Sequence, residues 1–139
     1  MSTDTHPLTA IPLDPAFAHY VLLADRAALP AIAAWLENRP EGVQVEVYIE
    51  IDHEGERVDL PGEDEDEDLR LWWLERNGMD MAESGLLEDM LIEVELPDQD
   101  GVTCFWIATE AARAQRMADF LASDWGIAAD ALHVAALPA

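Results

Sequence analysis

The chain has 139 residues, half of them hydrophobic, and sets 30 acidic side chains against seven basic ones for a formal net charge of -23. That length suits one domain able to bury roughly two thirds of its unfolded surface. The charge repels nucleic-acid phosphates and anionic lipid heads, which excludes both as general partners, and the lone Cys104 excludes a disulfide within the chain.

The first 17 residues, with Pro7, Pro12 and Pro15, read as an extended arm ahead of one α/β domain over 18–139. The arm has no basic n-region or continuous apolar h-region, and no segment approaches the roughly 20 apolar residues that span a bilayer. With an unpaired thiol inside the apolar run "VTCFWIA", this predicts a cytoplasmic protein without a membrane partner.

"HYVLLA" (His19 to Ala24) is a continuous apolar run of the kind a buried parallel strand needs. A helix is expected from about Ala28 to Asn38, with Leu29, Ile32, Trp35 and Leu36 on one face, Pro30 in the first turn and Pro40 as its stop. "VQVEVYIEI" (Val43 to Ile51) alternates and predicts a strand with one face less buried. Asp52 to Asp68 is an acidic loop whose like charges should keep its tip extended and mobile. "LRLWWLER" (Leu69 to Arg76) restores strand character, a helix follows near Ser84 to Ile92, and the state of "EVEL" stays open. "GVTCFWIAT" (Gly101 to Thr109) is another buried strand, and Thr109 as N-cap opens a long helix that Gly126 stops. "ALHVAAL" (Ala131 to Leu137) closes as a fifth strand.

Alternating strands and helices imply a doubly wound, mainly parallel five-stranded sheet flanked by helices, with ligands at the carboxyl ends of the strands. Asp25 and Arg26 then stand at a helix N-terminus that favours anions, although a plain strand-to-helix turn accounts for them equally. Arg76 ends the third strand beside Trp72 and Trp73, which alternation places on opposite faces; its alternative role is to neutralise the acidic loop. Thr109 and Glu110 open a helix, where capping alone explains them. "EDEDED" with His53 lacks the glycine and terminal glutamate of a calcium loop, so no metal site is expected, and no catalytic residue is assigned. His133, within an apolar strand, reads as structural.

The strings "YVLLADRAALPAIAAWLENRPEGVQVEVYIEI", "WLERNG", "GLLEDM" and "FWIATEAARAQRMADFLASDWGI", in this order and spacing, resemble the C-terminal pyridine-nucleotide domain of siderophore-interacting proteins. The likeness runs from about His19 to Val134. These proteins belong to the ferredoxin reductase-like flavoproteins. The resemblance implies an NAD(P)H-dependent ferric-siderophore reductase, serving iron uptake, in which hydride passes from nicotinamide to flavin and electrons then pass to iron. It also matches Asp25, Arg26, Arg76, Thr109 and Glu110 to nucleotide-site positions.

Three features depart from that pattern. Ala24 and Thr109 stand where glycines are expected, "AALPA" replaces an aromatic ending, and the residues ahead of the first strand are too few for the flavin-binding barrel. Without flavin the chain has nothing to accept hydride, so it is not expected to be a complete reductase or to bind flavin. Two readings follow. In one, it is an accessory NAD(P)H-binding half, with weak NADPH or NADH binding, that works with a separate flavoprotein or ferric-siderophore-handling partner. In the other, it is a non-catalytic relative with a degenerate nucleotide site that acts as a protein-interaction module, through a homodimer for example.

Overall fold

The computed structural model describes residue 11 and residues 17–38, 42–60, 68–80, 85–94 and 102–135. In chain order it contains β1 (His19–Asp25), α1 (Leu29–Asn38), β2 (Gln44–Ile51), β3 (Leu69–Glu75), α2 (Leu86–Glu93), β4 (Thr103–Ala108), α3 (Ala111–Asp124) and β5 (Leu132–Val134). Among the described residues the strands form one sheet in the order β3-β2-β1-β4-β5, and each neighbouring pair is parallel. The expected doubly wound α/β fold is therefore present, with a sheet more uniformly parallel than the sequence required.

Strand parity decides which side chains meet which layer. Tyr20, Leu22 and Ala24 of β1, the odd residues Val45 to Ile51 of β2, and Cys104, Trp106 and Ala108 of β4 join α1 in one core. α1 contributes Leu29, Ile32, Trp35 and Leu36, the stripe expected from their spacing, and the Trp35 ring lies 4.8 Å from that of Tyr20. On the opposite face Val21, Leu23, Tyr48, Phe105 and Ile107 pack with Leu87 and Leu91 of α2 and with Ala114, Met117, Ala118 and Leu121 of α3. Each such aliphatic side chain taken fully out of water contributes roughly 1.5–3 kcal/mol, so the two cores together oppose the entropy of ordering the chain. Trp73 belongs to the first core and Trp72 to the second, as alternation requires.

Several expectations shift in detail. Arg76 lies just beyond β3 rather than within it. The cap of α3 is Glu110, whose carboxylate accepts from the N–H groups of Ala112 and Arg113, and not Thr109. Thr109 is fully buried, and its hydroxyl makes no hydrogen bond to the helix end. The last strand starts at Leu132, one residue later than predicted, because Ala129–Ala131 form a 3-10 turn, and its predicted end at 136–137 lies outside the described residues. Gly126, at φ 66, takes the left-handed conformation that ends α3, and the N–H of Ile127 closes back on the Leu121 carbonyl at 3.0 Å.

Of the expected N-terminal arm only Ile11 and Phe17 are described, and both are buried in the α1 core. Within the loop after β2, Glu54–Glu56 form a 3-10 turn and Leu60 is buried, while the acidic tip at 61–67 lies outside the described residues. The segment 95–100, where "EVEL" continues, lies outside them too. No helix among the described residues is long and apolar enough to cross a membrane.

Candidate functional site

Parallel register brings the predicted positions together at the carboxyl ends of the strands. Asp25 is the β1 partner of Glu50 in β2, and Ala24 is the partner of Ala108, which places Thr109 beside Asp25. Arg76 is fixed against the same edge by a tight exit from β3. Its N–H donates to the Ile51 carbonyl, the Asn77 N–H to the Asp52 carbonyl and the Gly78 N–H to the Asp52 carboxylate, each at 2.8 Å. Asn77 at φ 52 and Gly78 at φ 92 form the left-handed turn that permits this exit.

The guanidinium of Arg76 lies 3.5 Å from Asp25 Oδ2 and 3.6 Å from Glu50 Oε1. Those are ion-pair distances beyond good hydrogen-bond length, and Arg76 Nε and Asp25 Oδ2 have no hydrogen-bond partner. The Thr109 hydroxyl is a third buried polar atom without one. Asp25 also accepts from the N–H of Ala27 at 3.3 Å and so caps the turn that leads into α1. Burial raises the Asp25 carboxyl above its ordinary value of 3.8; the Ala27 hydrogen bond and the Arg76 charge only partly oppose it.

Sequence reasoning missed the strongest contacts at this site. Arg113 of α3 is fully buried, and its guanidinium holds Glu50 through two bonds of 3.0 Å. It reaches Glu88 of α2 through two more, of 3.0 and 2.7 Å. Burial by itself would ease the proton off Arg113, but the Glu88 and Glu50 bonds outweigh it and hold the group charged more firmly than a free arginine. Two signals pointed here: Arg113 lies four residues before Met117 on the buried stripe of α3, and Glu50 shares strand parity with the buried Tyr48.

The remaining predicted residues stand at the rim. Arg26 is exposed and pairs at 2.8 Å with Glu56, whose other oxygen accepts from the Asp52 N–H at 2.6 Å. Arg57 pairs with Glu75 at 2.8 Å. Asp25, Arg76 and Thr109 are thus gathered, while Arg26 is drawn aside to the loop after β2 and Glu110 serves the helix it begins. His53 caps its own turn, where Nδ1 accepts from the Gly55 N–H, and the half-buried His133 ring sits 3.2 Å from the Asp130 carbonyl. No group of metal-ligating side chains gathers among the described residues.

A second polar cluster lies at the opposite end of the same sheet face. His19 is hydrogen-bonded through Nδ1 to the Thr103 hydroxyl and through Nε2 to Glu46, which also accepts from the Tyr48 hydroxyl at 2.8 Å. Burial would raise the Glu46 carboxyl, but the bonds from His19 and Tyr48 prevail and leave it below the ordinary 4.5. Burial and the same Glu46 bond push the Tyr48 phenol up.

The fold and sequence also match known proteins. The family model described as siderophore-interacting protein matches residues 17–137. A siderophore utilization protein from T. fusca superimposes with a TM-score of 0.72 at 31% identity, over 84% of this chain and 43% of that one. The siderophore-interacting protein from Acinetobacter baumannii gives 0.73 at 21% identity, over 92% of this chain and 48% of its own. The siderophore-interacting protein SipS from Aeromonas hydrophila gives 0.60 at 21%, over 88% and 50%. The last two likenesses speak for the fold alone, and the chain spans at most half the length of these three structures. No curated protein matches it. With the family model covering nearly the whole chain and the parallel sheet shared with these structures, the chain belongs to the siderophore-interacting protein family.

Proposed function

We propose that this chain is a non-catalytic member of its family that takes part in ferric-siderophore handling through protein contacts and does not turn over a pyridine nucleotide. One observation carries the reading: at the carboxyl ends of the strands, N–H groups and arginines are already engaged by the protein's own carboxylates. Asp25 occupies the N–H at the start of the turn into α1, and Glu110 occupies two at the start of α3. Arg26, Arg76 and Arg113 each face a carboxylate. An incoming phosphate would have to displace one of these internal anions in a site that is acidic on balance, and both steps oppose binding. This internal pairing speaks against the phosphate-cradling role that the family resemblance implies.

A second reading rests on Arg76. Its ion pairs are long and its Nε is unsatisfied, so it is the cation a phosphate would capture most readily. On that reading the chain is an accessory NAD(P)H-binding half serving a flavoprotein partner. Titration with NADPH and NADH in 1 M sodium chloride, followed by tryptophan fluorescence, separates the two. The first reading expects no saturable change up to millimolar nucleotide. The second expects sub-millimolar to millimolar affinity, stronger for NADPH, and a loss of roughly ten- to a hundredfold in Arg76→Ala. Saturable binding of that kind would sink the first reading.

A further inference from the structure

The geometry points to β3 as a self-pairing edge, through which two copies of this chain join antiparallel into one continuous sheet. β3 ends the sheet and pairs only with β2 among the described residues. The Val45 N–H donates to the Asp68 carbonyl and the Arg76 N–H to the Ile51 carbonyl, so the even-numbered residues direct their backbone polar groups toward β2. Leu69, Leu71, Trp73 and Glu75 therefore direct theirs outward, as a row that a further strand would satisfy.

Edge strands are ordinarily guarded by proline, lysine, a bulge or extreme shortness. "LRLWWLE" has none of these, and its centre, Leu71 to Leu74, is apolar and only half-buried. The ring of Trp72 is held rigid by stacking on Tyr48, with centroids 4.6 Å apart and planes inclined by 10°. An aromatic already ordered in this way loses little entropy when it is covered.

Self-complementarity identifies the occupant as a second copy. A two-fold axis normal to the sheet keeps each residue on its own face, so a residue must oppose another of the same parity. With the axis through Trp72, Leu69 opposes Glu75 of the other copy and all seven residues of β3 find partners. Trp72 then meets Trp72, Leu71 meets Trp73, and Arg70 lies across from Leu74. Just past the strand ends, Asp68 comes opposite Arg76. Moving the axis to Trp73 would instead set Arg70 against Arg76 and Leu71 against Glu75, which is repulsive and wastes apolar contact. Residues 69–76 carry two arginines against one glutamate in a chain of net charge -23, so copies meet here with less local repulsion than the molecule as a whole would impose.

This inference does not depend on the nucleotide reading, and its test uses a different readout. Sedimentation of the full chain from about 10 to 500 µM should show a concentration-dependent dimer, strengthened between 0.1 and 1 M sodium chloride as repulsion between copies is screened. Trp73→Pro removes an outward N–H while leaving the β2 ladder intact, and should weaken the dimer at least tenfold. Should that variant misfold, oxidative crosslinking decides instead. Trp72→Cys should link two copies and Trp73→Cys should not, while the wild type, whose Cys104 is buried, should stay unlinked. A monomer at every concentration and salt would overturn the inference. So would a dimer that Trp73→Pro leaves intact, or one that Trp73→Cys links more readily than Trp72→Cys.

Discussion

Arg113 and Glu50 are both fully buried, and their 3.0 Å contact is an ion pair without solvent access on either side. Such a pair gives little net stability over an apolar pair of the same volume, yet removing one member strands the other charge. Arg113→Met removes both 3.0 Å bonds to Glu50, whose contact with Arg76 is longer at 3.6 Å, and should lose about 3–5 kcal/mol in urea unfolding. Adding Glu50→Leu should recover most of that loss, since Glu88 is partly exposed and can be solvated. A single variant within about 1 kcal/mol of the wild type would show that the guanidinium is not needed to compensate Glu50. The site was half legible in the sequence for a related reason. Asp25, Arg76 and Thr109 could be placed because the ends of strands follow from the fold class. Arg113 and Glu50 were missed because an arginine on a helix and a glutamate on an alternating strand are ordinarily solvated, and only their partners explain their burial.

At the scale of elements, what could be read was whatever obeys a period. The apolar strands, the α1 stripe and the glycine stop of α3 lie where 2.0 and 3.6 residue repeats put them. The α3 cap was misplaced by one residue because Thr109 suits a cap by type but is fully buried, with no hydrogen bond from its hydroxyl to the helix end. The tie among β1, β2 and β4 through His19, Glu46 and Thr103 was invisible, since it depends on register. It makes a pH-dependent prediction. The Glu46 carboxyl is lower in the folded state than the ordinary 4.5, so its contribution is complete above that value and is lost as pH falls through the folded one. The stability difference between wild type and Glu46→Gln should therefore shrink progressively below about pH 4.5. Asp25 acts in the opposite sense, because its raised folded value makes protonation favour the fold as pH falls toward 3.8. Chemical denaturation of both proteins across pH 3 to 7 checks this, and a difference that grows on acidification would contradict the assignment of Glu46 as a folded-state anion.

For the whole molecule the governing quantity is charge. Internal pairing consumes most of the described arginines: Arg26, Arg57, Arg76 and Arg113 each hold a carboxylate, which leaves the acidic surplus to repel itself across the surface. That repulsion is felt more strongly in the compact fold than in the expanded chain, so screening it should favour folding. The Debye length falls from about 10 Å at 0.1 M salt to about 3 Å at 1 M, a change that removes most coupling between surface carboxylates and spares the buried pairs at the crevice. We expect the melting temperature to rise between these concentrations of sodium chloride by several degrees, since about 1 kcal/mol corresponds to roughly 3–5 °C for a domain of this size. Two effects would imitate this gain. Sulfate strengthens burial by exclusion from the surface, so sodium chloride and sodium sulfate must be compared at equal ionic strength; a screening mechanism predicts similar gains. Dimerisation through β3 would also stabilise by mass action, so the melts belong at low micromolar protein and in Trp73→Pro as well as in the wild type. If the melting temperature stays flat or falls in molar sodium chloride, the surplus carboxylates are spaced widely enough to be harmless, and the charge of -23 bears on solubility rather than on the stability of the fold.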